Sequence, residues 1–121
     1  MTQIKAIWLN NILAKEQLVV AFDNKELRMV CENEDIAKEN LGSTKLKDRL
    51  ADIFAATTVR DLLVGNPTET EHESLPAFKL EIEDGLVLFF SPNHVKVPCL
   101  HDGQVDWDKV NRVKIIAIQK N

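Results

Sequence analysis

The sequence predicts an α+β domain in which a helical hairpin packs on a four-stranded antiparallel sheet, in the chain order β-α-α-β-β-β. Three observations lead to this prediction: a strand hairpin at residues 78–90, two amphipathic helical stretches between residues 24 and 55, and a last apolar strand at residues 110–118. We expect residues 17–121 to form this domain, with residues 1–16 as an N-terminal extension.

The hairpin is the strongest of the three signals. In residues 78–83 the apolar residues Phe, Leu and Ile alternate with Lys and Glu, the period of a strand with one buried face. Asp84 and Gly85 then form a pair that tolerates positive φ, which is typical of a tight hairpin turn. The returning residues 86–90, LVLFF, are apolar throughout, as expected of a central strand covered on both faces.

The residues before the hairpin predict the helices that cover the sheet. A short apolar strand at residues 17–22 is followed by Asp23 and Asn24, whose side-chain oxygens can cap a helix running to about residue 41. Gly42 ends this helix, and Ser43 or Thr44 caps the next one. The second helix has an apolar face at helical spacing, formed by Leu46, Leu50, Ile53 and Phe54.

The remaining segments are connections and the extension. Residues 58–61 predict one helical turn with a capping box, whereas residues 66–76 and 92–102 predict loops because they are polar or broken by proline. In the extension, Ile4, Trp8 and Ile12 have helical spacing, but residues 4–8 also alternate as a strand would. In either conformation Trp8 needs cover, from this chain or from a partner.

Composition indicates an ordinary globular domain. The chain has 121 residues, of which 45% are hydrophobic and 28% charged, and its net charge of −4 lowers the expectation of nucleic-acid binding without forbidding a local basic patch. No stretch is long enough to span a membrane, no signal peptide is evident, and the two isolated cysteines favour reduced, buried thiols in a cytoplasmic protein.

Four stretches of the chain resemble one family. Residues 18–27, 46–62 and 77–90 are similar to the opening strand, second helix and central hairpin of the RelE/ParE superfamily of toxin–antitoxin toxins, closest to the HigB-like killer branch and its killer-suppression relatives. The most specific stretch is residues 102–118, DGQVDWDKVNRVKIIAI, which resembles the DG-x-DW-x-x-V segment before the last strand of that branch.

The resemblance implies an activity and partners. Active members cleave messenger RNA in the ribosomal A site without metal or other cofactor, by attack of the ribose 2′-OH on the adjacent phosphate. This chemistry needs a proton acceptor, cations beside the developing phosphorane charge, and an acid for the leaving oxygen. The implied partners are a cognate DNA-binding antitoxin and, for an active member, the ribosome and its mRNA.

The family's site residues carry over poorly. His72 stands where the branch has a His-x-Leu motif, so it is the catalytic candidate that the resemblance supplies. The strand at residues 86–90 lacks the expected Arg, residues 119–121 replace the expected Asp-Tyr-His, and the chain contains no Tyr. Arg112 and Lys114 are the candidates for RNA contact. Five acidic residues surround the predicted site: Glu69, Glu71, Glu73, Glu81 and Glu83.

Other noticeable residues predict structure rather than chemistry. His94, Cys99 and His101 match no standard metal-ligand spacing, so no metal site is expected. The basic residues at positions 45–49 indicate a solvated helix face, because acidic residues are interleaved with them. Trp107 is expected in the core, with Asp106 as a turn residue.

Two function classes follow. The first is a toxin-like component of a type II toxin–antitoxin system, an mRNA endoribonuclease in ancestry with a degenerate active site. The second is a non-catalytic protein-interaction module of the same fold, forming a homodimer or binding an antitoxin, in which the extension and Trp8 contact the partner. The missing cations favour the second class. An unrelated α+β domain with a similar pattern is the third alternative.

Overall fold

The computed structural model describes residues 17–120, and within them it contains five strands and three helices. The strands are β1 (Val19–Phe22), β2 (Thr68–His72), β3 (Leu75–Glu83), β4 (Leu86–Pro92) and β5 (Arg112–Lys120). The helices are α1 (Lys25–Glu32), α2 (Glu34–Leu41) and α3 (Leu46–Ala55), and single 3₁₀ turns occupy Val59–Asp61 and Trp107–Lys109. The predicted extension, including Trp8, lies outside the described residues.

The strands form one mixed sheet in the order β1-β5-β4-β3-β2. The α+β class is confirmed, and β4 is the middle strand, with residues 86–91 all buried. The predicted four-stranded antiparallel sheet is wrong in two respects, because there are five strands and β1 pairs with β5 in parallel. The direction of β1 could not be predicted, since it pairs with a strand about 90 residues away and no turn joins the two.

The additional strand, β2, lies within the segment predicted to be a loop. Its residues TETEH are polar, but Thr68 and Thr70 are β-branched and alternate with Glu as a strand does. Glu73 and Ser74 have φ values of 50° and 70°, so they form the two-residue turn that folds β2 back on β3. The sequence did not predict this hairpin for two reasons: the strand is polar, and its turn residues are not the Asn-Gly pair that is typical of such turns.

The predicted long first helix is broken at Asn33. This residue has extended backbone angles, and its side-chain oxygen accepts hydrogen bonds from the N–H groups of Asp35 and Ile36, at 2.9 and 3.2 Å. Asn33 therefore ends α1 and caps α2. The predicted cap at Asn24 is confirmed by a 2.9 Å bond from the Leu27 N–H group.

The other helix boundaries agree closely with the sequence. Gly42 ends α2 with a φ of 67°. The predicted cap of α3 at Ser43 or Thr44 is wrong, because Lys45 is the cap residue and no side chain caps this helix. Buried Ser43 instead accepts a hydrogen bond from the Lys45 N–H group. Phe54, predicted on the apolar face of α3, is instead 46% exposed.

The helices and the two 3₁₀ turns pack on one face of the sheet, which we call the inner face. The ring of Trp107 is 2% exposed and meets Phe78 edge-on at a centroid distance of 4.6 Å, which confirms its predicted place in the core. The strand residues of this core are Phe78, Leu80, Ile82, Leu86, Leu88, Phe90, Val113 and Ile115.

The cysteines differ from the prediction in one case. Cys31 is half-buried, and burial, with the nearby Glu32 carboxylate as a second cause, raises the pKa of its thiol to about 12. Cys99 was predicted to be buried but is exposed, because it lies in the long loop between β4 and β5.

Candidate functional site

The predicted site residues lie on the sheet face opposite the helices, which we call the outer face. Strand pairing assigns its members, because directly paired residues share a face and alternate residues along a strand do too. The side chains that strand pairing assigns to this face include Thr68, Thr70, His72, Ala77, Lys79, Glu81, Val87, Phe89, Ser91, Arg112, Lys114 and Ala117.

His72 is the last residue of β2, beside the two-residue turn. Its ring stacks on the ring of Phe89 in β4, at a centroid distance of 4.5 Å and an interplanar angle of 30°. In a flat sheet the two residues would stand about 16 Å apart, two strand spacings across and four residues along. The contact therefore requires the β2–β3 hairpin to curl toward the outer face, which makes this face concave.

Arg112 and Lys114 lie on β5, three strand spacings from His72, or about 14 Å between backbones. The Lys114 ammonium forms an ion pair with the carboxylate of Asp23 at 3.2 Å, so half of the predicted basic pair is partly neutralised. Arg112 is exposed and forms no ion pair with any residue between 17 and 120. Of the two, Arg112 is the better placed to attract an anion.

Lys79 is a third cation on this face, and sequence reasoning missed its relevance. It is partly buried and is paired directly with Phe89 on one side and with Thr68 on the other. The strand alternation already indicated that Lys79 points away from the core, but only the register shows that it stands beside Phe89. Lys79 therefore places a cation beside β4, the strand in which the resemblance led us to expect an Arg.

The acidic residues around His72 are divided between the two faces. Glu69 and Glu71 point to the inner side, where they line a groove of about 310 Å³ with Gln104 and Trp107. Glu81 shares the outer face with Lys79, and its carboxylate is 3.5 Å from the amide nitrogen of Asn66. The predicted repulsion of an RNA backbone is therefore weaker than the sequence suggests, although Asp23 and Glu81 remain nearby.

His94 performs a structural task. Its Nε2 atom accepts hydrogen bonds from the backbone N–H groups of Asn111 and Arg112, both at 3.3 Å, and so fixes the β4–β5 loop to the start of β5. Burial is the first cause that lowers its pKa, and the positive charge of Arg112 is the second. Both effects favour the neutral ring, which is the form that can accept these bonds.

The other candidates are also explained by structure. Between residues 17 and 120, no three His, Cys, Asp or Glu side chains are grouped to hold a metal ion, and His101 is exposed. Lys47 is a solvated residue that pairs with Glu34 at 3.0 Å, as predicted for this helix face. Arg49 is only 15% exposed, and its Nε atom donates to the Glu81 carbonyl at 2.8 Å, so it joins α3 to the sheet.

A further recess lies among the helices. It has a volume of about 380 Å³ and separates α1 and α2 from α3, with Val30, Leu50 and Phe54 among its apolar walls. It is on the helix side of the sheet, so none of the predicted site residues line it. No helix in the described part of the chain is long and apolar enough to cross a membrane.

Comparisons of the chain with protein-family models, with curated proteins and with solved structures find no match.

Proposed function

We propose that this protein is the toxin-like member of a type II toxin–antitoxin pair. Its outer face is the remnant of a metal-independent mRNA endoribonuclease site, and its partners are a DNA-binding antitoxin and, if activity persists, ribosome-bound mRNA. The proposal joins the sequence resemblance of residues 17–118 to the geometry of the outer face.

One observation carries the proposal. His72, Arg112 and Lys114 come from distant parts of the chain, yet strand pairing brings all three to one concave face. Lys79 adds a cation beside the aromatic ring of Phe89. A histidine and spaced cations on one surface are among the elements with which proteins bind RNA and act on its 2′-OH group.

The same surface explains why we expect the activity to be weak. His72 and the β5 cations stand on strands that are separated by two others, β3 and β4. Lys114 is already paired with Asp23, which weakens the positive charge that it could offer to a phosphate. Each missing cation removes stabilisation worth several kcal/mol from a phosphoryl-transfer transition state, roughly 3 kcal/mol for one donor.

The second candidate is the non-catalytic interaction module of the same fold. It is favoured by the apolar centre of the outer face, where Ala77, Val87 and Phe89 lie. Such a surface suits a protein partner better than a phosphate backbone, because binding of nucleic acid depends chiefly on clustered cations.

Growth arrest on induced expression in a bacterial host tests the proposal. We expect the wild-type chain to slow growth and to produce cleavage of ribosome-bound mRNA, and both effects to be lost in His72→Ala and weakened in Arg112→Ala. His101→Ala and Lys47→Ala are matched controls, since they remove an exposed histidine and a cation on the helix side. A harmless wild-type chain, or arrest that His72→Ala and Arg112→Ala leave unchanged, rejects the nuclease proposal.

A further inference from the structure

Three buried hydrophobic residues do not belong to the core that the helices form with the sheet. Ala77, Val87 and Phe89 are 0%, 3% and 8% exposed, but all three point to the outer face. The core cluster contains none of them, because it lies on the inner face with the helices. Their burial therefore needs a cover on the outer side.

Within residues 17–120, the ring of His72 supplies part of this cover. It stacks on Phe89 but does not account for the other two residues. Ala77 lies beside Ser91, which has a small side chain, and Val87 is paired with Gln119, which is exposed. The described helices cannot contribute, since they pack on the inner face.

We propose that residues 1–16 of this chain pack on the outer face and cover Val87 and Phe89, with Trp8 as the central contact. Nine of these sixteen residues are hydrophobic, so the segment has enough apolar surface to be stabilised by packing on such a face. This packing does not depend on the proposed function.

The position and length of the segment agree with this assignment. It joins the described chain at Gln17, immediately before β1, and β1 lies two strand spacings from β4, or about 10 Å. Sixteen residues reach about 24 Å as a helix and about 50 Å when extended, so either conformation can reach Phe89.

Thiol labelling of the full chain tests the cover directly. With Cys31→Ala and Cys99→Ser removing the native thiols, Val87→Cys reports solvent access beneath the proposed cover. Val95→Cys is the matched control, because Val95 is fully exposed in the β4–β5 loop. We expect Val87→Cys to react with a maleimide reagent at least about tenfold more slowly than Val95→Cys in the native protein.

A second change tests the occupant. Adding Trp8→Glu should raise the labelling rate at Val87→Cys about tenfold, whereas Lys5→Glu, which adds a negative charge to a polar position of the segment, should leave it unchanged. Trp8→Ala is measured in parallel, so that the test stands if the charged variant does not fold. Equal labelling of Val87→Cys and Val95→Cys, or no response to either Trp8 variant, overturns the proposal.

Dilution and growth assays separate the remaining outcomes. Protection that disappears on dilution shows that a second copy supplies the cover, which also overturns the assignment to the chain's own segment. Protection that is independent of concentration supports it, even if expression of the protein is harmless and the proposed function fails.

Discussion

Replacing Gly65 by alanine should destabilise the fold far more than the same change at Gly103, although both glycines have nearly the same φ, 88° and 87°. At Gly103 a new methyl group would meet nothing within 4 Å, so Gly103→Ala carries only the conformational cost, about 1 kcal/mol. At Gly65 the methyl group would lie 2.9 Å from Nε of Arg49 and 3.0 Å from the carbonyl oxygen of Glu81.

These two atoms are already joined by the 2.8 Å hydrogen bond between α3 and β3. Gly65 is itself held to Glu81, whose N–H group donates to the Gly65 carbonyl at 2.7 Å, so the backbone cannot move away freely. Loss of a hydrogen bond from a charged donor costs about 1.5 to 3 kcal/mol. Added to the conformational cost, this gives about 3 kcal/mol for Gly65→Ala.

Urea unfolding followed by circular dichroism measures both free energies of unfolding. Removing the guanidinium group first, with Arg49→Ala, should reduce the additional cost of Gly65→Ala, because one of the two obstructed partners is then absent. Equal decreases in the free energy of unfolding for Gly65→Ala and Gly103→Ala would refute the reasoning. They would show that the close contact of Gly65 with Arg49 and Glu81 does not contribute to stability.

Three further predictions concern single side chains. Asn33→Ala should lower the free energy of unfolding by about 1 kcal/mol in urea unfolding, because the capping bonds to the first turn of α2 are lost. His94 should make the free energy of unfolding depend on pH. Because the pKa of His94 is lowered in the folded protein, the neutral ring stabilises the fold fully above the ordinary pKa of 6.5, and this stabilisation is lost as the pH falls below that value. Removing the titrating ring with His94→Gln should flatten this decline in thermal unfolding measured between about pH 8 and pH 5. Cys99 should react with iodoacetamide at about pH 8 in the native protein while Cys31, with a pKa near 12, remains unmodified by mass spectrometry.

Each of these has a distinct contrary result. Asn40→Ala, in the exposed part of α2, is the control for the cap, and an equal loss from both variants would contradict it. A difference between wild type and His94→Gln that is constant with pH would show that titration of the ring is unimportant. Equal alkylation of both thiols in the folded protein would contradict the assigned burial of Cys31.

The parts of the fold that the sequence predicts well are those specified by neighbouring residues. Asp84 and Gly85 form the turn expected of them, and Gly42 ends its helix in the left-handed conformation. The buried residues of β4 could be recognised because a central strand is apolar on both faces. In each case the residues within a short stretch of sequence are sufficient to determine the local structure.

The parts that were predicted wrongly depend on partners distant in sequence. β2 looks like a polar loop because only its pairing with β3 makes it a strand, and Asn33 interrupts a periodic helical pattern that continues on both sides of it. The candidate site also depends on residues that are distant in sequence. The residue types of His72 and Arg112 could be noted in the sequence, but their common face follows from register across four strands.

The parallel pairing of β1 with β5 has a consequence for the order of folding. Strands β2, β3 and β4 are joined by tight turns, whereas β1 can pair only after about 90 intervening residues have been brought into place. The loss of chain entropy on closing so long a loop delays this contact, so the β2–β3–β4 meander forms first and the edge strand docks late. In native-state hydrogen exchange we therefore expect the amides of residues 19–22 to open by a smaller fluctuation than those of β4. The first described residues, from Gln17 through β1, would then separate from the sheet more readily than the other strands.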